Sequence, residues 1–419
     1  MTIDSGDVAW VLTATGLVML MTPALGFFYG GLVRRKNLVS TIVQTMIIFA
    51  VVSLVWALWA YSLSFGPNVD GVIGNLSNVG LNGVGAAPNP FYASTIPALL
   101  YFAFQLKFAA ITPALIIGAF AERIRFKALL IYVVLWTTLI YAPVAHWVWG
   151  DGGWLRDLGV LDFAGGLVVH TTAGVSAITA ALVIGRREET DRAKSARPNN
   201  VPYVMLGAAL LWFGWFGFNG GSALAANELA VSALVDTNLA AAAAAVTWMI
   251  VDWTFKGKPS AVGMSIGAVV GLVAITPAAG FVTPMVAILI GASGAILANF
   301  VTNLRARSRL DDSLDVFACH GVGGMWGVLA TGLAATVAIN ASGANGLFYG
   351  NPHLFLVELF AVAVVGAFSF VGSYLLLRAI NLITPIRVRP EEEEAGLDLS
   401  QHGEEAYTMG PRGRTEPEV

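Results

Sequence analysis

Charged residues and cysteine are both scarce in this chain. Of its 419 residues, only 12% are Asp, Glu, Lys or Arg, whereas 57% are hydrophobic. A soluble globular domain carries about 25% charged residues, so the composition excludes an ordinary soluble fold. The single cysteine, Cys319, excludes a disulfide framework and any cysteine-based metal site.

Motifs of nucleotide binding and metal catalysis are missing as well. The sequence contains no G-x-x-x-x-G-K-S/T, no H-E-x-x-H and no C-x-x-C, the patterns typical of a phosphate-binding loop, a zinc protease and a redox site. The net charge of −3 points to no particular partner. We therefore expect no enzymatic activity, no cofactor and no nucleic-acid binding.

Long apolar runs are what the chain has in abundance. Each of about eleven runs is long enough to cross a hydrocarbon core of about 30 Å. They cover residues 7–31, 39–65, 92–121, 126–147, 162–185, 200–222, 235–255, 261–279, 281–303, 316–337 and 353–384. The first run ends in Arg34-Arg35-Lys36 rather than in a small-residue cleavage site, so we predict a retained helix. The fold class is an all-α polytopic membrane protein.

Positive charge is distributed unevenly among the loops. If the N-terminus lies outside, the inner segments hold 21 of the 23 Lys and Arg residues. These segments are Arg34–Lys36, Arg123–Lys127, Arg186–Arg197, Lys256 with Lys258, Arg305–Arg309 and the chain from Arg378 onward. Only Arg156 falls in an outer loop and Lys107 within a span. Because Lys and Arg mark the cytoplasmic side, we predict an N-out, C-in chain with a transmembrane domain at 1–386 and a cytoplasmic tail at 387–419.

Two histidines lie inside apolar spans, where an ionisable side chain is costly and marks a functional site. An odd number of spans allows two inverted five-helix repeats plus an eleventh helix, with the site near the midplane. Asp162 begins span 5 from outside and Asp315 begins span 10 from inside, and each can cap its helix. His170 then lies roughly 12 Å into its span and His320 roughly 8 Å into the other. We expect the two rings to meet.

Aromatic residues accompany the histidines. Phe104 and Phe108 are four residues apart, as are Phe218 and Ser222, so each pair shares a helix face. Trp149 ends span 4 at the outer surface. Aromatic faces and a hydroxyl acceptor suit a small cation that also donates hydrogen bonds. The alternative for the tryptophans is an aromatic belt at the membrane interface.

Four segments together resemble the ammonium transporter superfamily (Amt/Mep/Rh), and its Amt branch in particular. They are Asp162-Phe-Ala-Gly-Gly-Leu-Val-Val-His170, His320-Gly-Val-Gly-Gly324, Gly26-Phe-Phe-Tyr-Gly-Gly-Leu-Val-Arg-Arg-Lys-Asn37 and Trp215-Phe-Gly-Phe-Asn-Gly-Gly-Ser222. The likeness extends from about residue 7 to Tyr407. It implies a homotrimer in the cell membrane with one pore per subunit.

The resemblance also implies roles for particular residues. These are an outer ammonium site of Trp149, Ser222 and Phe108, a gate of Phe108 and Phe218, a twin-histidine pore pair of His170 and His320, and a supporting acid, Asp162. The tail segment Gly396–Tyr407 is similar to the family's regulatory region, which communicates with PII signal proteins.

The function that follows is ammonium transport for nitrogen uptake. An isolated ion loses tens of kcal/mol of solvation in a low-dielectric medium, and desolvation lowers the pKa of a cationic acid. We therefore predict that ammonium, or methylammonium, is recruited outside and deprotonated, and that neutral ammonia passes the pore. Potassium has no proton to lose and would be rejected. Transport of a neutral gas such as carbon dioxide, proposed for Rh relatives, is a variant.

Lys107 departs from the family pattern, in which the neighbour of the gate is apolar. It lies some fifteen residues into predicted span 3, or roughly 22 Å, and turns off the Phe104/Phe108 face. Either it faces a subunit contact and pairs with a carboxylate or carbonyls, or it is a fixed charge that hinders cation entry. The second interpretation leaves an ammonium sensor as an alternative function. A membrane protein with a bis-histidine haem is a third.

Overall fold

The computed structural model describes residues 2–188 and 198–407, so most of the inner segment after Arg187 and the last part of the tail lie outside the described residues. Eleven apolar helices run through these ranges. They are α1 (Ser5–Leu32), α2 (Arg35–Phe65), α3 (Ala98–Ala119), α4 (Phe126–Asp157), α5 (Gly166–Ile184), α6 (Val201–Gly221), α7 (Glu228–Lys256), α8 (Ala261–Ile275), α9 (Pro284–Ala306), α10 (Phe317–Ala334) and α11 (Pro352–Ile383). Ten are long and apolar enough to span a membrane, and α8 is shorter. The all-α polytopic prediction is confirmed.

Two small hairpins interrupt the connection between α2 and α3. Strand β1 (Asn68–Val69) pairs with β2 (Ile73–Gly74), and β3 (Pro88–Asn89) pairs with β4 (Ala93–Pro97), both antiparallel. The predicted third span began at residue 92, but its first residues are the strand β4, and the helix begins at Ala98. Below, the side of the bundle that carries the N-terminus is called outer and the side that carries the tail is called inner, following the predicted orientation.

Short polar side chains mark several helix starts. The carboxylate of Asp4 accepts hydrogen bonds from the backbone N–H groups of Gly6 and Asp7, at 2.8 and 3.0 Å. Asn227 caps α7 and Ser260 caps α8 in the same way. Each side chain satisfies an N–H group that the helix leaves without an internal partner, so the chain turns at the ends of its apolar runs.

Helices at equivalent positions in the two predicted halves pack against each other. α1 lies along α6, and the first turns of α5 and α10 are in contact. A Cβ on Gly174 of α5 would lie 2.1 Å from the backbone nitrogen of Gly321 on α10. The glycines therefore allow two backbones to touch beside the histidines, and bring the two histidine-bearing segments to one place.

The glycines of α8 also allow two helix backbones to approach closely. A Cβ on Gly271 would lie 2.4 Å from the carbonyl oxygen of Ala240, and one on Gly267 would lie 2.8 Å from that of Ala244. This close approach packs α8 against α7, as a repeated small-residue pattern predicts.

The tail returns to the inner face of the bundle. A short helix, α12 (Pro390–Ala395), is followed by a single turn at Asp398–His402. The carboxylate of Asp398 accepts hydrogen bonds from the backbone N–H groups of Val39 and Ser40, at 3.0 and 2.7 Å. The described part of the tail thus caps the inner end of α2.

Candidate functional site

Both histidines lie in π-helical turns at the start of their helices. The turns cover Gly166–Thr171 in α5 and Phe317–Val322 at the start of α10. A π-helical turn inserts one residue into the helix and is frequently found at functional sites. The side chains of His170 and His320 are 1% and 3% exposed, so both rings are enclosed by the bundle.

An aspartate holds the first turn of each of these helices. The carboxylate of Asp162 accepts four backbone N–H bonds, from Gly165, Gly166, Leu167 and Val168, at 2.6 to 3.2 Å. This arrangement meets both the unpaired N–H groups and the positive end of the helix dipole. The predicted capping role of Asp162 is present in the structure.

The predicted capping role of Asp315 is wrong, because Asp312 does this work. The carboxylate of Asp312 accepts hydrogen bonds from the backbone N–H groups of Val316 and Phe317, at 3.1 and 2.8 Å. Asp315 has a φ of 57°, and its carboxylate pairs with Arg305 at 2.5 Å. The left-handed backbone turns Asp315 away from the helix start.

The two histidine rings are in direct contact. Their Nδ1 atoms are 3.3 Å apart, and the rings lie 17° from parallel with centroids 5.3 Å apart. A hydrogen bond between two Nδ1 atoms requires one ring to be the Nδ1–H tautomer and the other the Nε2–H tautomer. The pair therefore presents one Nε2 acceptor and one Nε2–H donor. Rings this close leave no gap for a porphyrin, which disfavours the haem alternative.

An aromatic stack leads from the histidines toward the outer side. Phe218 lies 6.1 Å from His170 between ring centroids, and Phe108 lies 4.2 Å from Phe218 with the planes tilted by 35°. Both phenylalanines are at most 1% exposed. Trp215 stacks on the His170 ring at 5.5 Å, and its Nε1–H donates to the Thr276 hydroxyl at 2.9 Å. Trp215 is therefore a buried wall of the site and not part of an interfacial belt.

A cavity of about 210 Å³ opens above Phe108. Its lining combines aromatic rings with a few polar groups. These residues are Phe91, Tyr92, Tyr101, Phe104, Gln105, Phe108, Trp149, Arg156, Phe163, Ser222 and Leu224. All three residues of the predicted outer site line this cavity, and we call it the outer pocket.

Two hydrogen bonds orient the pocket wall. The Trp149 indole N–H donates to the backbone carbonyl of Asp162 at 2.8 Å, and the Ser222 hydroxyl donates to the carbonyl of Phe218 at 2.8 Å. The Ser222 oxygen keeps its lone pairs for a donor inside the pocket. Asp162 does not line the pocket. It acts on the site only through the helix start and through Trp149.

Lys107 is less deep than predicted and points elsewhere. Because α3 begins at Ala98, Lys107 lies nine residues into the helix, roughly 14 Å along it. Its ammonium group sits 5.0 Å from the ring centroid of Phe49 on α2, and Lys107 does not line the outer pocket. Among the described residues Lys107 contacts an aromatic ring, and the pairing expected at a subunit contact stays a prediction.

The inner end of the bundle carries an ion-pair network that the sequence did not single out. Arg187 binds Asp311 through Nη2 at 2.9 Å and Nε at 3.0 Å, and Glu122 through Nη1 at 3.0 Å. Burial works to raise the pKa of Asp311, but hydrogen bonds and charge from Arg187, with the charge of Arg123, outweigh it and hold the pKa at about 2. Arg123 also donates to five oxygens, including the Ser313 hydroxyl at 2.5 Å.

A third histidine, His146, is fully buried. Its Nδ1 lies 2.9 Å from the carbonyl of Ser64, and its Nε2 lies 2.9 Å from Oδ1 of Asn68. The side chain ties the outer end of α4 to the end of α2 and the β1 hairpin. It takes no part in the outer pocket.

Fold and site together define a class of protein. The chain forms a multi-pass helical membrane bundle. In its interior, a continuous series of side chains in contact leads from an aromatic pocket, through two stacked phenylalanines, to a pair of histidines. Beyond the pocket, the buried phenylalanines Phe108 and Phe218 are apolar and the histidine pair is polar. These are features of a membrane transporter for a small solute.

Comparison with known proteins identifies the family. The model of the Ammonium Transporter Family matches residues 9–407, and the chain belongs to this family. An ammonium transporter of Bacillus subtilis is 48% identical, over 96% of this chain and 98% of its own length. The crystal structure of Candida albicans Mep2 superimposes with a TM-score of 0.87 at 37% identity, covering 93% of this chain and 88% of that one. A solved structure described as a sensor Amt protein has a TM-score of 0.87 at 30% identity, covering 95% and 98%.

Proposed function

We propose that this protein transports ammonium across the cytoplasmic membrane, binding the cation in the outer pocket and passing neutral ammonia along the histidine pair. One observation carries the proposal. The outer pocket, the Phe108–Phe218 pair and the His170–His320 pair follow one another in contact through the buried centre of the bundle. The relatives support ammonium as the substrate, because those named above are ammonium transporters or Mep and Amt proteins.

In this proposal, the residues that line the outer pocket bind the ammonium ion. Phe108 and Trp149 meet edge to face, with ring centroids 6.1 Å apart and planes at 89°. A cation–π contact contributes about 0.5–2 kcal/mol, and the Ser222 oxygen accepts a hydrogen bond that ammonium can donate and potassium cannot. Gln105 adds a buried carbonyl oxygen at the same wall, with no hydrogen-bond partner among the described residues.

Beyond the outer pocket, the path favours neutral ammonia over the ammonium ion. The Phe108 and Phe218 rings are 4.2 Å apart between centroids, so a solute between them must shed its water. Loss of hydration costs an ion far more than a neutral molecule, and it lowers the pKa of ammonium. Ammonia can both donate and accept hydrogen bonds. It therefore matches the acceptor and donor that the histidine pair offers.

Orientation and assembly complete the proposal. The positive loops support a tail on the cytoplasmic side, and we propose residues 1–386 as the transmembrane domain and 387–419 as the regulatory tail. We propose a homotrimer in the membrane lipid with one pore in each subunit, and a PII signal protein as the partner of the inner face. The contacts of Asp398 with the start of α2 support a tail that can influence the helices around the pore.

Ammonium sensing is the second candidate, and the likeness to a sensor Amt protein favours it. In that case occupancy of the outer pocket would alter the docked tail, and transport would be slow or absent. Lys107 is a proposed modulator in either case. Its contact with Phe49 makes it act through the packing of α3 against α2, not by facing the solute.

The test is solid-supported-membrane electrophysiology on proteoliposomes given pulses of ammonium chloride or potassium chloride. We expect a saturable current with ammonium and none with potassium in the wild type. In His170→Ala the buried hydrogen bond to His320 is lost, and we expect the current to fall about five- to a hundredfold, in line with the cost of about 1–3 kcal/mol for leaving a buried polar group unsatisfied. A parallel uptake assay with methylammonium detects transport that carries no charge.

The outcomes separate the candidates. A wild type without current but with uptake identifies electroneutral passage. A wild type with neither, but with saturable ammonium binding, identifies a sensor and overturns transport. Lys107→Met serves as the matched comparison: a rise in current identifies Lys107 as a restraint, and an unchanged current removes it from the mechanism.

A further inference from the structure

Arg156 is the exception to the charge asymmetry of the loops. It is the one Lys or Arg residue that the sequence places on the outer side of the membrane. The structure puts it at the lining of the outer pocket, together with Trp149, Phe108 and Ser222. A permanent positive charge therefore stands at the wall of a site proposed to bind a cation.

Two contacts hold the guanidinium in place. Its carbon lies 4.4 Å from the centroid of the Phe91 ring, and its Nη1 donates a hydrogen bond to the backbone carbonyl of Trp149 at 3.0 Å. No carboxylate within residues 2–188 and 198–407 forms an ion pair with it. The charge is therefore fixed beside Trp149, and water is left to screen it.

The charge of Arg156 reaches the interior of the pocket. Burial raises the pKa of Tyr92 to about 12; a hydrogen bond from the Asp151 backbone N–H lowers that pKa, the charge of Asp151 raises it, and the positive charge of Arg156 lowers it. Tyr92 and Arg156 line the same cavity. A field that acts on one phenol of the wall also acts on a cation held between Trp149 and Ser222.

We propose that Arg156 sets the ammonium affinity of the outer pocket, by repelling the cation and raising the concentration needed to fill the site. The inference rests on the proposed transport function. Charge repulsion at a solvent-exposed site is screened over a Debye length of about 30 Å at 0.01 M salt and about 10 Å at 0.1 M. The difference in ammonium affinity between the wild type and a variant without this charge should therefore shrink as ionic strength rises. Asp151 and Asp157 flank Arg156 at the outer end of α4 and stay unchanged in every variant below, so their charges act equally on all of them.

Half-saturating ammonium concentration is the quantity to measure, from currents and methylammonium uptake in proteoliposomes. Arg156→Gln removes the charge, and Arg156→Lys keeps it. We expect Arg156→Gln to lower the half-saturating ammonium chloride concentration about three- to tenfold at low salt, as loss of a neighbouring unit charge would. Arg156→Lys should stay within about twofold of the wild type.

Salt dependence supplies an independent readout. Raising N-methylglucamine chloride from about 10 to about 100 mM should bring the half-saturating concentrations of the wild type and Arg156→Gln closer together, and should leave the ratio between the wild type and Arg156→Lys unchanged. If Arg156→Lys reproduces the effect of Arg156→Gln, the shape of the side chain and not its charge matters, and the proposal is overturned. Equal affinities and salt slopes in the wild type and Arg156→Gln also overturn it. A wild type that neither carries current nor takes up methylammonium would instead refute the transport function itself.

Discussion

The first turn of α5, at the outer side, and the first turn of α10, at the inner side, are built in the same way but lie in different surroundings. We call these two regions the outer and the inner entrance. In each, an aspartate eight residues before the histidine holds a π-helical first turn: Asp162 precedes His170, and Asp312 precedes His320. Asp162 is tied to an aromatic wall through Trp149. Asp312 stands beside a dense network of ion pairs that includes Asp311 and Arg187. The same capped helix start therefore positions each histidine, whereas the residues around the two entrances differ: aromatic rings at the outer one and ion pairs at the inner one.

Loss of the ion pair at the inner entrance should have the largest effect on stability. Asp311→Asn leaves Arg187 buried with one carboxylate partner fewer, and breaking a buried pair costs about 3–5 kcal/mol. We expect a lower thermal midpoint of the detergent-solubilised protein at pH 7. The pKa of Asp311, about 2 in the folded state, lies below its ordinary value near 4. The contribution is therefore complete above about pH 4 and is lost as the pH falls toward 2.

The difference between wild type and Asp311→Asn should accordingly be constant from pH 6 to 8 and shrink in acid. Asp315→Asn is the matched control, because the side chains of its pair with Arg305 are 19% and 18% exposed, against 9% and 1% for Arg187 and Asp311, and we expect a smaller loss of stability. Equal midpoints for wild type and Asp311→Asn at pH 7 would contradict the role assigned to the network.

Weakening the outer helix start should have the next largest effect. Asp162→Asn replaces the two acceptor oxygens of the carboxylate by one. Some of the four backbone N–H groups at the start of α5 therefore lose their hydrogen-bond acceptor. Each buried, unsatisfied group costs about 1–3 kcal/mol. We expect reduced thermal stability together with weaker ammonium capture, seen as a higher half-saturating concentration, because the weakened helix start shifts the backbone carbonyl of residue 162 that accepts the Trp149 indole N–H. A variant with normal capture would show that the position of Trp149 does not depend on the Asp162 side chain.

The corresponding change at the inner entrance should have a smaller effect. Asp312→Asn retains one acceptor oxygen for its two N–H partners, and we expect a loss of about 1–2 kcal/mol. Ammonium capture should be unchanged, since the outer pocket is at the other end of the pore. A shift in half-saturating concentration as large as that of Asp162→Asn would break the proposed division between the two entrances.

The contact between His170 and His320 could be predicted from the sequence. The membrane spans, the charges of the loops and the two inverted halves together restrict where two such residues can lie. It chose the wrong aspartate at the second entrance. Asp312 and Asp315 both precede His320, and only the left-handed backbone at Asp315 decides which carboxylate faces the helix. An equal eight-residue spacing in the two halves would have selected Asp312.

The depth of Lys107 was misjudged for a different reason. The strand β4 contains no charged residue and leads directly into the apolar helix, so the predicted span was extended backward to residue 92. The stacking of Trp215 on His170 also escaped the sequence, since a tryptophan near a span end is compatible with either an interfacial belt or a buried wall. Contacts between distant helices decide such cases, and no local pattern encodes them.

The central claim is that ammonium enters through the outer pocket, and cysteine modification tests it most directly. Because Cys319 is the single cysteine, a Cys319→Ala background provides a protein without thiols. In this background Ser222→Cys places a thiol in the pocket, and Ser342→Cys places one on an exposed loop outside it. We predict that a cationic methanethiosulfonate reagent abolishes the ammonium current and methylammonium uptake of Ser222→Cys and leaves Ser342→Cys and the background unchanged. Full transport by Ser222→Cys after complete labelling, verified by mass spectrometry, would contradict entry through this pocket.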